Sequence, residues 1–332
     1  MAMRVLDRNE AQVELLAGRT VGVVGYGNQG RAHALNLRDS AVAVVVGQRP
    51  GASFDRALAD GFEVANVSAA AARSDLIVVT LPDETAAETY HQQIAGELQP
   101  GKTLGFVHGF NIRFGLIDPP SGVDVIMVAP KGPGTLLRSL YIQGQGLPAL
   151  LAVERDFSGS AQELALAWAA GIGSSRAAVV ETTFAAETET DLFGEQVVLC
   201  GGVTALCKAA FETLVEAGYE PEFAYLECVH ELKQIVDLIY ASGLTAMRAR
   251  ISNTAEYGDL TRGPRLIDER TRREMRRILA EVRSGEFARE WIAECRGGLK
   301  RFRQLHDADA DTEFERAGQA VRRLMPWLEG DC

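Results

Sequence analysis

The chain has 332 residues, 47% of them hydrophobic and 24% charged, with a net charge of −11. That length suggests about two domains with a sizeable core, and the acidic balance argues against a surface for nucleic acid or for an anionic membrane. Five cysteines (Cys200, Cys207, Cys228, Cys295 and Cys332) show no CxxC pair and no zinc-ligand spacing, so they read as buried, reduced thiols of a cytoplasmic protein. The amino terminus has mixed charge and no continuous apolar region, unlike a signal or transit peptide, and no apolar run is expected to reach membrane-spanning length.

The first element is TVGVVGYGNQG, an apolar strand running into Gly25, Gly27 and Gly30, followed by the helical composition of RAHALNLRDS. A GxGxxG between a strand and a helix is the dinucleotide-binding fingerprint: the first glycine makes the tight turn, the second admits the pyrophosphate and the third lets helix and strand pack. The next strand, AVAVVVG, runs into Gln48, Arg49 and Pro50 without the carboxylate that would bind a ribose 2'-hydroxyl. Arg49 and Ser53 offer a guanidinium and a hydroxyl to a 2'-phosphate instead, which points to NADPH, with NADH possible.

Strands and helices then alternate: FDRALADG, the edge segment EVANV, SAAAARS, DLIVVTLP, a helix from Asp83 to Leu98, KTLGFVHG, VDVIMVA, LPALLAV and AAVVET. This pattern predicts a parallel sheet wound by right-handed crossovers, with ligands beyond the carboxyl ends of its strands. Asp83, His108 and Lys131 fall at such ends. His108 sits in the glycine-rich turn HGFN and suits proton transfer. Lys131, between Pro130 and Gly132, suits binding an anion or polarising an oxygen. His33, His91 and His306 lie in polar helical contexts and are assigned no role.

After Thr183 the period is helical throughout, which divides the chain into residues 1–182 and 183–328. The stretch ETETDLFGEQVVLCGG places Asp191 and Glu195 four residues apart, and ECVHELKQIVDLIY repeats the spacing with Glu227 and Glu231. Such pairs usually lie on solvated faces. Here the like charges repel on an apolar helix with no nearby bases, and they suit an all-oxygen site for Mg2+. The arginines from Arg262 to Arg277 are interspersed with acids and read as a solvated face.

A hydride-donor domain joined to a carboxylate metal site describes a metal-assisted reductase. A metal-independent hydroxyacid dehydrogenase and a non-catalytic NADP-binding protein are the competing readings. The segments GYGNQGRAHALNLRDS, LPDE, FVHGFN, APKGPG, ETTFAAETETDLFGEQVVLCGG, FETLVEAGY, ECVHELKQIVDLIY and SNTAEYGD carry a more specific signal. Through them the chain resembles ketol-acid reductoisomerase (acetohydroxy-acid isomeroreductase), in its short class I form, from about Arg19 to Leu328.

The resemblance implies an N-terminal Rossmann-like domain, a knotted helical C-terminal domain and two Mg2+ ions. It further implies Mg2+-dependent alkyl migration in 2-acetolactate or 2-aceto-2-hydroxybutyrate, then NADPH reduction to the 2,3-dihydroxy acid, in branched-chain amino-acid biosynthesis. Asp191 bridges the ions, Glu195 ligates one, and Glu227 and Glu231 complete the site from the partner subunit of a homodimer or higher oligomer. His108 and Lys131 are catalytic, and Ser252 holds the substrate carboxylate. The cofactor site takes in Gly25, Tyr26, Gly27, Asn28, Gln29, Arg49, Ser53, Asp83, Glu84, Thr85, Ala86 and Gly134. Asn28 stands where the family usually has Ser, and Thr135 where it has His.

Overall fold

The structure, a computed structural model, describes residues 3–328. It comprises two compact units divided between Thr190 and Asp191. The first is built on an eight-stranded sheet in the order β3-β2-β1-β4-β5-β6-β7-β8. The strands are β1 (Thr20–Val24), β2 (Ala43–Gly47), β3 (Glu63–Ala65), β4 (Leu76–Val79), β5 (Thr103–Phe106), β6 (Asp124–Pro130), β7 (Ala149–Arg155) and β8 (Val179–Glu181). Between them run α1 (Asn28–Asp39), α2 (Ala52–Ala59), α3 (Val67–Ala72), α4 (Asp83–Thr89), α5 (Phe110–Arg113), α6 (Gly134–Ile142) and α7 (Ala161–Gly171). The helix expected from Asp83 to Leu98 is α for its first seven residues, then π over Tyr90–Ile94 and 3-10 over Ala95–Glu97.

Alternation decides which face each strand residue serves. Val21 and Val23 of β1, Leu76 and Val78 of β4, and Ile126 and Val128 of β6 join one apolar cluster with Trp168 of α7. Val24, Ile77, Val79, Val125 and Met127 join the other, with Tyr90 and Phe184. All seven residues of β6 are buried, as expected of a central strand covered on both faces. The expectation of a parallel sheet holds for β1 to β6. β7 runs antiparallel to β6, and β8 is parallel to β7. The reversal follows from α6, which packs along α1 instead of crossing the sheet and so returns the chain at the same end.

Parallel register aligns the strand ends. Val24 pairs with Gly47 and with Val79, Val79 with Phe106, and Phe106 with Met127. The glycine-rich turn, the start of α4, the HGFN turn and the Lys131 turn therefore emerge along one edge.

α8 (Phe184–Gly194) begins in the first unit and runs into the second. The second unit continues with α9 (Gly201–Glu216), α10 (Pro221–Tyr225), α11 (Glu231–Arg248), α12 (Asn253–Leu266), α13 (Glu269–Arg283), α14 (Glu286–Arg296), α15 (Lys300–Ala310) and α16 (Glu313–Arg323). π turns over Glu195–Leu199 and Leu226–His230 interrupt the expected α periodicity at both acidic pairs. At the first, a Cβ on Gly201 or Gly202 would collide with the Gln196 or Val197 carbonyl, so the glycine pair is what admits the wider turn. Gly243, at φ 79°, kinks α11. Phe211, Ala224, Tyr225, Ala317 and Val321 form this unit's small core.

Three expectations need correction. Cys200 is exposed, while Cys207 is buried and Cys228 and Cys295 are half-buried; Cys332 lies outside the described residues. The helical stretch Phe184–Glu216 is long and apolar enough to cross a membrane by length and composition; its acids fall between Glu187 and Glu195 and again at Glu212 and Glu216, and the run between them carries none. His33 is fully buried, its Nδ1 accepting from the Trp168 indole at 3.2 Å.

Candidate active site

The cofactor turn is built from three features. Gly25 adopts φ 96° at the end of β1, a conformation that favours glycine. A Cβ on Gly30 would collide with the Gly25 carbonyl and the Thr80 hydroxyl, so α1 packs directly on the turn. Gly27 caps α1 without a side-chain acceptor, and there is open space where its Cβ would stand. No side chain at Gly27 therefore blocks the approach of an anion to the first-turn N–H groups of α1, and the residues fit a dinucleotide pyrophosphate.

Around that turn the Tyr26 hydroxyl donates to Asp60 at 2.8 Å, and Arg31 holds the same carboxylate at 2.7 Å. Burial first, then the Asp60 bond, pushes the Tyr26 phenol far up. The Tyr26 backbone N–H donates to Gln48 Oε1 at 3.2 Å. Arg49 is exposed and Ser53 half-buried at the start of α2. Asp83, Glu84, Thr85 and Ala86 form the first turn of α4. The Asp83 carbonyl accepts from Asn111 Nδ2 at 3.1 Å, and Gly134 opens α6.

The densest chemistry surrounds a residue that the sequence reading passed over. Glu187 on α8 is 1% exposed. Its carboxylate accepts from His108 Nδ1 at 3.2 Å, from the Gly109 backbone N–H at 3.0 Å and from Lys131 Nζ at 2.9 Å. The helix reaches this position because Phe184, Glu187 and Thr188 share its buried face. Gly109 permits the contact, since a Cβ there would strike the Thr188 hydroxyl and the Phe184 carbonyl. Arg113 of α5 grips Glu189 at 2.8 Å and fixes the same approach.

Burial acts to raise the Glu187 carboxyl, but the His108 bond and the His108 and Lys131 charges outweigh it and hold the group below the ordinary carboxylate value. An ionised Glu187 accepts the His108 Nδ1 proton and leaves Nε2 as the reactive nitrogen. That nitrogen stands 4.0 Å from Asp83 Oδ2. Signal for Glu187 was present in the sequence: it extends the Asp191 and Glu195 spacing one turn toward the amino end.

Asp191 follows Glu187 by one turn of the unbroken α8. Ligand atoms of His108, Glu187 and Asp191 lie within 4.8 Å of one another, a donor set that fits a divalent cation. Among the described residues, Glu195, Glu227 and Glu231 do not join this group. All three are exposed, Glu195 and Glu227 in π turns and Glu231 at the start of α11. Ser252 caps α12, its hydroxyl oxygen accepting from the Ala255 N–H at 3.1 Å.

The chain matches the family profile for the acetohydroxy acid isomeroreductase NADPH-binding domain over residues 15–178, and that for the ketol-acid reductoisomerase C-terminal domain over residues 184–327. Among solved structures it is similar to an NADH-preferring ketol-acid reductoisomerase from an uncultured archaeon. Identity is 43% and the TM-score 0.95, over 97% of this chain and 99% of that one. Two more distant structures share the fold alone. A semialdehyde dehydrogenase NAD-binding protein from Cupriavidus necator has 18% identity and a TM-score of 0.63, over 80% and 99% of the two chains. A pyrroline-5-carboxylate reductase from Coxiella burnetii has 13% and 0.53, over 80% and 96%.

Proposed function

The chain belongs to the ketol-acid reductoisomerase family, and from that premise we propose that His108, Glu187 and Lys131 are its proton-handling group and that Asp191 anchors its metal site. The family reaction is Mg2+-dependent alkyl migration in an acetohydroxy acid followed by reduction with a nicotinamide cofactor, a step toward valine and isoleucine. The observation that carries the residue assignment is the buried Glu187 carboxylate with its three donors.

When bound, Mg2+ supplies Lewis-acid polarisation of the substrate's vicinal oxygens and the nicotinamide supplies hydride. His108 Nε2 exchanges a proton with the substrate's hydroxyl or developing alkoxide, held in one tautomer by Glu187 at Nδ1. Lys131 balances the Glu187 charge and presents an ammonium toward negative charge that develops on the substrate. The α12 N-terminus at Ser252 receives the substrate carboxylate.

Asp191 and Glu195, together with Glu227 and Glu231 of a second copy of the chain, would hold two Mg2+ ions. The exposure of Glu195, Glu227 and Glu231 supports this, as do large exposed apolar side chains of the second unit, among them Leu199, Tyr240, Tyr257 and Trp327. The same faces explain the apolar Phe184–Glu216 helix as an assembly surface rather than a lipid anchor, in a cytoplasmic homodimer or higher oligomer. NADPH is the preferred cofactor and NADH is accepted: β2 runs into Gln48 and Arg49 with no carboxylate to repel a 2'-phosphate.

Cofactor oxidation tests the reading with 2-acetolactate and, separately, with the already migrated 3-hydroxy-3-methyl-2-oxobutanoate, in Mg2+ and in EDTA. Mg2+-dependent turnover of both, lost in Lys131→Met, is expected. Turnover of the migrated acid alone, undiminished by EDTA, would make the carboxylates structural.

A further inference from the structure

The first turn of α1 is fastened to the turn that carries Lys131. Gln29 Nε2 donates to the Gly132 carbonyl at 2.9 Å, and Asn28 Oδ1 accepts from the Thr135 N–H at 2.9 Å. Gly134 lies so close to the Asn28 carbonyl that a Cβ on it would collide. Lys131 precedes Gly132 directly. Its own N–H donates to the Pro148 carbonyl at 2.8 Å, while Nζ reaches Glu187. A single residue step therefore separates the carbonyl that Gln29 holds from the backbone of the lysine. Gln29 Oε1 is buried without a hydrogen-bond partner. An orphaned buried acceptor is unfavourable, so the amide is placed for its donor end.

Farther along, Arg138 of α6 donates to Asn36 Oδ1 at 2.8 Å and pairs with Asp39 at 2.6 Å. The α1–α6 seam thus has a structural part remote from the turn and a separate part at it.

We propose that Gln29 is a positioning residue, which fixes the Lys131 turn against the α1 N-terminus so that the cofactor's pyrophosphate site and the Lys131–Glu187–His108 group are held in one register. The assignment rests on the role given to Lys131 above. Gln29 acts through a backbone carbonyl, so its loss displaces the lysine and leaves the phosphate cradle, made of backbone N–H groups, in place.

Gln29→Met keeps the length and removes the donor. Its kcat for 2-acetolactate is expected to fall about tenfold, with the cofactor KM changed by less than about twofold. Arg138→Gln serves as the control: it loosens the remote part of the seam and should lower Tm while leaving kcat unchanged. A tenfold rise in cofactor KM at unchanged kcat would make Gln29 part of the cofactor cradle and overturn the proposal. An equal loss of kcat in Arg138→Gln would overturn it as well, by showing a general effect of seam loosening. Lys131→Met, measured alongside, separates the two levels. Full activity there would sink the role given to Lys131, whereas an inactive Lys131→Met beside a normal Gln29→Met would sink this inference alone. Should Gln29→Met not fold, the isosteric Gln29→Glu sets a carboxylate against the Gly132 carbonyl and is held to the same kcat and KM criteria.

Discussion

The two compact units treat their large apolar and acidic side chains in opposite ways. In the first, alternating residues of β1, β4 and β6 vanish into two clusters, and the buried Glu187 carboxylate finds three donors in the same chain. In the second, the core is a handful of residues around Tyr225, while Tyr240 is 90% exposed and Trp327 73%. Glu195, Glu227 and Glu231 of this unit are exposed as well. A buried carboxylate has to be satisfied where it stands, whereas exposed acids and large exposed apolar side chains are the features on which the proposed pairing with a second copy rests. The first unit holds its buried group complete within one chain; the second is where the proposed assembly would form.

Breaking the buried group of the first unit should give the largest effect. Glu187→Gln preserves shape but places an amide N–H where only acceptors fit, opposite Lys131, His108 and the Gly109 N–H. We expect kcat to fall on the order of 10³-fold with cofactor affinity changed by less than about twofold. Wild-type kcat in that variant would reduce the carboxylate to a structural tie. The proposed assembly is tested by complementation. Asp191→Asn and Glu227→Gln should each be inactive alone, yet random re-pairing of the two gives mixed dimers with one intact site, restoring about a quarter of wild-type activity. No recovery in a mixture shown to exchange subunits would mean that each chain supplies all its own carboxylates.

What could be read from the sequence follows the same division. The strands, the glycine turn, His108 and Lys131 were legible because period-two burial and strand ends are local properties of the chain. Glu187 was not singled out, because its partners lie 79 and 56 residues away in sequence and only packing through Gly109 joins them. The acidic spacing was read as α, and the structure shows π turns at both pairs. At the first pair the turn depends on Gly201 and Gly202 having no Cβ to strike their own helix, which periodicity does not register. The reversal of β7 hinged likewise on where α6 packs, a tertiary choice.

Cofactor preference sharpens the comparison at a smaller scale, since its residues are exposed yet belong to the first unit. Arg49→Ala should raise the KM for NADPH about tenfold, the weight of one charge-assisted contact, and leave that for NADH unchanged. Equal losses for both cofactors would show that Arg49 does not read the 2'-phosphate.

The smallest effect bears on the core of the first unit and is seen in stability rather than turnover. Burial lowers the His33 imidazole from its usual 6.5 to about 3. Above pH 6.5 the ring is neutral in the folded and unfolded states alike, and pH does not act through it. Below that, the unfolded chain binds a proton that the folded core refuses, so stability falls by about 1.4 kcal/mol per pH unit until the folded ring itself titrates. His33→Asn keeps an acceptor for the Trp168 indole and removes the titration. The variant should melt a few degrees below wild type at pH 7, from the lost volume, and the gap should close as pH falls from 6 to 4. A gap that stayed constant over that range would show that the buried ring takes up its proton without opening the core, and the contrast between a sealed first unit and an open second one would lose its firmest physical support.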